Sequence, residues 1–260
     1  MNLTTAQEIE IYDAYGRKIN GHKAIVDKND QSVIFNIASS NYKIAQHQEV
    51  YDATLAALAG TGVKYTPIRT TDQGRRMFAE FDLPTIKHDV KRVGDIINLR
   101  VGVHNSYDSS SGVRVEVYGH RLVCSNGLFV SDSFGRYYTR HIHGIDLDLI
   151  EKAVVTGIAA FKDKFCYMME QYAETPVTET KVIEFIDYCT ENKVIPIKYM
   201  DSIRQNVTVR TGVDKMPVTN KWMLYNAVTE ILTHETDNIF VQRQKIQKMD
   251  RVMSEFKFAA

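Results

Sequence analysis

The stretch IINLRVGVHNSYDSSSGVRVEVYGHRLVC, residues 96–124, decides the fold class of this chain. Its two ends alternate apolar and polar residues and are rich in β-branched and aromatic side chains, which is typical of half-buried strands. Between them, Asp108 to Gly112 is a run of turn formers, whose short polar side chains hydrogen-bond their own backbone. The stretch therefore predicts two antiparallel strands joined by a tight loop.

The same alternation occupies most of residues 65–130, for example in RRMFAEFDL at 75–83. A hairpin is predicted within 24–35, with its turn at 28–30. One helix is predicted over Gln46 to Ala59, and Gly60 and Gly62 end it. The first 145 residues are thus expected to form a β-rich core with one helix.

From residue 146 onwards the apolar spacing becomes that of helices. The third predicted helix carries a buried stripe of Trp222, Tyr225, Val228 and Leu232. Residues 146–260 are expected to pack on the core as one cooperative unit with it. The fold class is therefore α+β, with an antiparallel sheet in the N-terminal and central part and a helical C-terminal third. The predicted helices are 146–174, Lys181–Asn192 and Thr219–His234, followed by a tail at 241–258 that forms a shorter helix or a partly ordered end, and 199–217 is predicted as an exposed loop or subdomain boundary.

Composition limits the classes of protein that this chain can be. With 260 residues and 44% hydrophobic residues it can build a sizeable core. The 32 Lys and Arg balance 32 Asp and Glu, so any electrostatic site must be local. No apolar run is long enough for a signal peptide or a membrane span, and three widely spaced cysteines suit a reducing compartment. We expect a cytoplasmic protein without a membrane partner, in a bacterium or a phage-infected cell.

A local excess of cations lies in the predicted sheet. Residues 75–143 hold ten Lys and Arg against seven Asp and Glu, and residues 144–200 hold six against ten. Proteins that bind single strands combine cations for the phosphates with aromatic faces for the bases, and SFGRYYTRHIHG at 133–144 has this composition. The alternative is an ordinary hairpin with packed aromatic residues and solvated arginines. The candidate binding residues are Arg69, Arg75, Arg76, Arg136 and Arg140 for phosphates, and Tyr137 and Tyr138 for stacking.

Catalytic and metal-binding signals are weak. His141 and His143 would share one face of a strand near Asp146 and Asp148, but a zinc site needs further ligands at a readable spacing, so no metal and no cofactor is predicted. Cys124 with His104 and Asn105 could form a nucleophilic arrangement, yet a cysteine in an apolar strand is more often a small buried residue. No helix-borne His-Glu motif, phosphate-binding glycine loop or serine elbow is present, so the prediction leans towards a protein that is not an enzyme.

At residues 101–128 the sequence resembles the family called domain of unknown function 932, also known as phage/plasmid-like proteins. Two further stretches agree with that family: NYKIAQHQEVYD at 41–52 and WMLYNAVTE at 222–230. The resemblance implies a mobile-element context and no particular activity. The residues that carry it in the first stretch are Asn105, Ser106, Asp108, Ser110, Arg114, Arg121, Val123, Cys124, Asn126 and Gly127, and in the others Tyr42, His47, Trp222, Tyr225, Asn226 and Thr229.

Three functions remain open on the sequence. The leading hypothesis is a single-stranded DNA-binding protein that promotes strand annealing in recombination, as a homo-oligomer, because three strands and a long helix follow the outline of ring-forming annealing proteins. The second is a small-molecule or nucleotide-binding enzyme, whose pocket would be lined by Asn105, Asp108, Arg121 and Asn126. The structural alternative is turn chemistry, in which Asn105 and Asp108 bond the backbone of the loop and Asn126 with Gly127 makes a tight turn. The third is an interaction protein that blocks a host factor.

Overall fold

We describe the fold from a computed structural model of the chain, which describes residues 2–90, 96–121, 126–128, 135–208, 218–236 and 238–258. The chain divides into two compact units. Unit 1 comprises residues 1–85, 100–117 and 135–158, and unit 2 comprises residues 86–99, 118–134 and 159–260.

A three-stranded antiparallel sheet opens unit 1. Its order is β1 (Ala6–Ile9), β2 (His22–Asp27) and β3 (Ile34–Ser39), which confirms the hairpin predicted at 24–35. Asp27 makes the turn, because its carboxylate accepts the backbone N–H groups of Asn29 and Asp30 at 2.7 and 3.3 Å. The inner face of this sheet contributes to a small apolar cluster formed by Ala6, Ile25, Phe35, Ala38, Tyr42 and Tyr107.

A six-stranded sheet provides the central framework. The strands are β4 (Thr66–Asp72), β5 (Arg76–Asp89), β6 (Ile96–Ser106), β7 (Val113–Arg121), β8 (Asn126–Leu128) and β9 (Arg136–Thr139). Neighbouring strands are antiparallel and follow the order β4 to β8, and β9 also pairs with β7. In the β7–β9 pair, Val113 lies opposite Thr139 and Glu116 lies opposite Arg136.

Two helices complete unit 1. Helix α1 (His47–Gly60) is fixed at its start by a capping box between Gln46 and Glu49. Its Tyr51 ring contacts the Phe81 ring of β5, with centroids 5.5 Å apart. Helix α2 (Leu147–Ala160) lies against β7 at Gly157, where an added Cβ would be only 2.5 Å from the Cβ of Val117. Close contact between this helix and the sheet therefore requires glycine at that position.

Helices dominate unit 2. A six-residue π-helical segment, Phe161–Cys166, continues α2 into α3 (Tyr167–Glu174). Helix α4 (Glu179–Glu191) is capped by the Thr178 hydroxyl, which accepts the N–H of Lys181 at 3.3 Å. The other helices of the described part are α5 (Met200–Thr208), α6 (Lys221–His234) and α7 (Ile239–Glu255), with a short 3₁₀ turn at Ile197–Tyr199.

The α+β class with a helical C-terminal third is confirmed, and so are the predicted helices within 46–59, 146–174, 181–192 and 219–234. One prediction was wrong in part. Residues 200–208 form helix α5 rather than an exposed loop, because Tyr199, Ile203 and Val207 are buried at helical spacing. Residues 209–217 of that predicted loop lie outside the described residues. The tail, predicted as a shorter helix or a partly ordered end, is a helix, and the 17 residues of α7 bury Ile246, Met249 and Met253.

Candidate nucleic-acid interface

One edge of the central sheet collects most of the polar residues singled out in the sequence. Because neighbouring strands are antiparallel, the starts of β5 and β7 and the ends of β6 and β9 meet at this edge. The β6–β7 loop, residues 107–112, lies there too. We call this end of the sheet in unit 1 the loop edge. It consists of the starts of β5 and β7, the ends of β6 and β9, the loop at 107–112 and the residues next to them.

A buried polar network supports the loop edge from below. The Asn105 amide of β6 donates to the Ala45 carbonyl at 2.7 Å and to Nδ1 of His47 at 2.9 Å. A carbonyl oxygen only accepts, so the Asn105 group that faces Ala45 is the amide nitrogen, which is a donor. The same nitrogen faces Nδ1 of His47, and Nδ1 must therefore be an acceptor. The ring hydrogen then lies on Nε2, which donates to the Gly74 carbonyl at 3.1 Å.

This network holds a histidine in its neutral form. His47 is fully buried and stacks on Tyr107, with ring centroids 3.9 Å apart. Burial lowers the pKa of His47 to about 4, against a smaller opposing effect of the Gly74 carbonyl. The Tyr107 hydroxyl accepts the backbone N–H of His47 at 2.9 Å and donates to the Thr4 carbonyl at 2.8 Å, so α1, the β6–β7 loop and the N-terminal segment are joined at one point.

The β6–β7 loop is held in one conformation by its own side chains. The Ser106 hydroxyl donates to the Ser111 carbonyl at 2.7 Å and accepts the Ser111 N–H at 3.1 Å. Asn36 of β3 donates to the Ser109 hydroxyl at 2.6 Å, and Ser109 has a positive φ of 59°. These hydrogen bonds therefore hold the backbone of the β6–β7 loop in one position.

A second contact joins the loop edge to the segment after β9. Tyr42 donates to the Ser106 carbonyl at 3.2 Å and stacks on His141, with centroids 4.8 Å apart. Burial lowers the pKa of His141, although the carbonyls of Lys43 and Ser111 oppose this effect. The Lys43 N–H donates to the His141 carbonyl, which brings Lys43 beside the end of β9.

Three of the five predicted phosphate-binding arginines are already paired with carboxylates. Arg69 contacts Glu80 at 2.7 Å, Arg76 contacts Asp108 at 2.8 Å, and Arg136 contacts Glu116 at 3.4 Å. All three acids are largely buried, so removing an arginine from its acid would leave a buried carboxylate without its charge partner. Although burial acts the other way, hydrogen bonds from Ser110 and the Arg76 guanidinium keep the pKa of Asp108 below its usual value.

The other two arginines have the accessibility that a phosphate contact needs. Arg75 is exposed in the turn between β4 and β5, where its carbonyl accepts the Tyr107 N–H at 2.7 Å. Arg140 is exposed immediately after β9. Lys43, also exposed, is a third cation of the loop edge, which no local sequence pattern indicates. In the part of the chain that the structure describes, none of these three side chains forms an ion pair.

The two candidate stacking residues differ in exposure. Tyr137 is 5% exposed and its hydroxyl accepts the Asp146 N–H at 2.9 Å, so its ring belongs to the core of unit 1. Tyr138 is 46% exposed, with the Arg114 and Arg136 guanidinium carbons 5.5 and 5.7 Å from its ring centroid. Those distances are typical of cation–π contacts, which hold the ring in place.

The alternative pocket residues are described only in part. Asn105 and Asp108 serve the network and the loop, and their side chains face different partners, His47 and Arg76. Arg121 and Asn126 are register partners in β7 and β8, but their side chains lie outside the described residues, as does all of Cys124. Among the residues that the structure describes, no group of three or more His, Cys, Asp or Glu is arranged to hold a metal ion.

Two cavities of unit 2 contain none of the predicted site residues. One, of about 410 Å³, is mainly apolar and lies at α4 and α5. The other, of about 600 Å³, lies beside the π-helical segment, where His88 contacts Glu170 at 3.0 Å. Their lining residues include Val182, Ile183, Ile186 and Val207 in the first, and Lys87, His88, Asp163, Cys166 and Glu170 in the second.

Comparison with known proteins gives a family. The family model described as Domain of unknown function (DUF932) matches residues 35–254, most of the chain. The chain belongs to this family. No curated protein and no solved structure matched it. Within the described ranges, no helix of this DUF932 protein is long and apolar enough to cross a membrane.

Several residues that carried the family resemblance have structural roles in this DUF932 protein. Tyr42, His47 and Asn105 form the buried network, and Ser106 and Asp108 fix the β6–β7 loop. In α6, the predicted stripe of Trp222, Tyr225, Val228 and Leu232 is buried. The residues at 42–47 and 105–108 therefore explain how the loop edge of unit 1 is built, and the exposed residues on it are the candidates for binding.

Proposed function

We propose that this DUF932 protein binds single-stranded DNA along the loop edge of unit 1. The observation that carries the proposal is the exposed Tyr138 ring, which contacts the Arg114 and Arg136 guanidinium groups and lies two residues before Arg140, a cation that forms no ion pair within the described residues. Proteins that bind single strands use aromatic faces for the bases and cations for the backbone. Tyr138 supplies the first and Arg140 the second.

We assign the phosphate contacts according to whether each cationic side chain already forms an ion pair with a carboxylate. A phosphate that binds Arg75, Arg140 or Lys43 displaces only water and counterions, because these side chains are exposed and lack an acid partner among the described residues. A phosphate at Arg69, Arg76 or Arg136 must compete with a buried carboxylate at 2.7–3.4 Å. The structure therefore supports the first group as the principal phosphate ligands, and the paired arginines orient the strands and Tyr138.

Annealing and assembly extend the same proposal. The succession of β5, β6 and β7, followed after β9 by α2, supports the analogy with ring-forming annealing proteins that the sequence suggested. In this view the protein is a cytoplasmic homo-oligomer of a phage or plasmid recombination system. Stacking without base-specific hydrogen bonds suits annealing, because the base edges remain available for pairing.

The test is the salt dependence of binding for a double variant, Arg75→Ala with Arg140→Ala, measured by fluorescence anisotropy of a labelled oligonucleotide. Each phosphate contact on a single strand contributes about −0.7 to the slope of log K against log salt. The double variant should therefore have a shallower slope than the wild type, by about 1.4. The matched control, Lys28→Ala with Lys64→Ala, removes two exposed cations of unit 1 outside the loop edge that likewise form no ion pair within the described residues. Equal slopes for the wild type and the Arg75/Arg140 variant would refute the assignment.

A further inference from the structure

The three-stranded sheet of unit 1 has two outer edges, and the edge at β1 is protected. Oε1 of Gln46 accepts the Ala6 N–H at 3.1 Å, and Nε2 of Gln46 donates to the Ala6 carbonyl at 2.8 Å. The Gln46 amide thus occupies the outer backbone groups of Ala6 as a neighbouring strand would. Glu8, which contacts Lys23 at 2.7 Å, adds a charge to the same strand. A covered backbone and a charged side chain both oppose pairing with another chain.

The edge at β3 has backbone groups that face outward. Ile9 lies opposite Ala24 in the β1–β2 pair, and Ala24 lies opposite Ile37 in the β2–β3 pair. Successive residues of a strand direct their backbone groups to opposite edges, so Ile9 faces β2 because Ala6 faces outward. Ala24 therefore bonds Ile9, and the N–H and C=O of Ile37 face away from β2. The register irregularity of this pair lies before Asn36, so Ile37 is in its regular part.

β3 has none of the features that protect β1. Residues 31–42, QSVIFNIASSNY, contain no charged residue and no proline. The side chains of Ile34 and Ile37 are 52% and 51% exposed. Uncharged segments of six or seven residues with high β propensity and no proline are the ones that pair readily with other chains. This edge is therefore suited to the addition of a strand.

We propose that β3 pairs antiparallel with β3 of a second copy of this chain, about a two-fold axis at Ile37. The Ile37 N–H of each copy donates to the Ile37 carbonyl of the other, and the two side chains lie on the same face. The two sheets then form one sheet of six strands whose outer edges are both β1. Because those edges are covered by Gln46, the pairing closes at two copies.

The charges at the two ends of the segment favour a second copy as the partner. Asp30 precedes residues 31–42 and Lys43 follows them. Both are exposed, and neither forms an ion pair within the described residues. Antiparallel pairing brings the acidic end of one segment towards the basic end of the other, whereas parallel pairing would bring like charges together.

The test is sedimentation equilibrium of the whole chain without nucleic acid, over a roughly hundredfold range of protein concentration. We expect the wild type to be in equilibrium between one and two copies. Ile37→Lys and Ile37→Glu should each weaken the dimer roughly tenfold or more, because like charges meet at the two-fold axis. An equimolar mixture of these two variants should regain the dimer, because unlike charges then meet. A contact of Ile37 with any other part of the second copy would not be restored in this way.

Ile68→Lys is the matched control. Ile68 is 44% exposed on the edge strand β4, which also carries Pro67, Arg69 and Asp72, so this variant should dimerise as the wild type does. Ile37→Pro is a second, uncharged variant, which removes the outward-facing N–H and should also weaken the dimer. Circular dichroism verifies that each variant is folded.

A wild type that remains a single copy at every concentration would overturn the proposal. So would a dimer that Ile37→Lys and Ile37→Pro leave unchanged. This inference goes beyond the proposed DNA binding, which is measured separately, and a single copy that still binds single-stranded DNA would refute the dimer alone.

Discussion

Among single residues, the polar side chains of the loop edge are of two kinds. Some are buried and support its structure, and others are exposed and are candidate DNA ligands. Asn105 and His47 are fully buried and bonded to each other, whereas Arg75 and Arg140 are exposed. From the sequence alone, the Asn105 side chain could line a ligand pocket or bond the backbone of the loop. Burial and hydrogen-bond partners separate these alternatives, because an amide bonded to Ala45 and His47 has its donors committed inside the unit.

The pKa of His47 leads to a prediction about acid stability. Its folded pKa of about 4 lies below the ordinary value of 6.5, so the unfolded state binds more protons between these two pH values. Stability should therefore fall as the pH falls through this window, by about 3 kcal/mol from this group in total. Protonation also places a hydrogen on Nδ1 facing the Asn105 donor.

Urea unfolding at pH 7.0, 5.5 and 4.5 checks this, with His47→Gln as the comparison because glutamine does not titrate. The variant should be less stable at pH 7.0 but should lose less stability on acidification than the wild type. Parallel losses in the two proteins would show that His47 is not the group responsible.

Residue-level prediction failed where long-range contacts decide. Lys43 lies in the segment that precedes the first predicted helix, and its two backbone hydrogen-bonding groups bring it to the loop edge by bonding His141, 98 residues away. Tyr137 and Tyr138 are adjacent and chemically identical, yet strand pairing directs one ring to the core and the other outward. A sequence gives the alternation of a strand but not which of its faces is covered.

At the scale of elements, the contact between α2 and β7 leads to a prediction about glycine. In Gly157→Ala the new Cβ would lie 2.5 Å from the Cβ of Val117, so helix and strand must separate. We expect a loss of about 1–3 kcal/mol in the free energy of unfolding, even though alanine favours a helix. Thermal or urea unfolding measures it.

Gly60→Ala is the matched control for that substitution. Gly60 is also helical, and a Cβ added there would lie 3.9 Å from a Glu151 carboxylate oxygen, an ordinary contact distance. This variant should be neutral or slightly stabilising. If the two alanine variants had equal stability, the close contact at Gly157 would not limit the packing of α2.

Elements with a strong apolar period were predictable from the sequence, and short or polar ones were not. Helix α6 has a continuous stripe from Trp222 to Leu232 and was predicted nearly to its ends. Helix α5 buries few residues over its nine, and strand β1 has only four residues, so their patterns resemble those of loops. Strand β9 is equally short, and its pairing with β7 depends on tertiary structure.

At the scale of the whole molecule, the strands give a reason to expect cooperative unfolding. β5, β6 and β7 each contribute residues to both units without a break, so unfolding either unit would disrupt strands of the other. The organisation predicted from the sequence, residues 1–145 and 146–260 as one cooperative unit, stays a prediction, and it can be measured.

Trp222, the single tryptophan, is buried in unit 2 and provides the probe. Its fluorescence and the far-ultraviolet circular dichroism of the whole chain should give the same midpoint in urea. Separate midpoints would show that the units unfold independently.

The proposed binding of single-stranded DNA at the loop edge is tested by fluorescence anisotropy of the wild-type protein with labelled single-stranded and duplex oligonucleotides across a salt series. We expect tighter binding to the single strand, with a slope of log K against log salt of about −2 for contacts from Lys43, Arg75 and Arg140. Absence of binding at low salt, or equal binding to the duplex with the same slope, would refute the proposal.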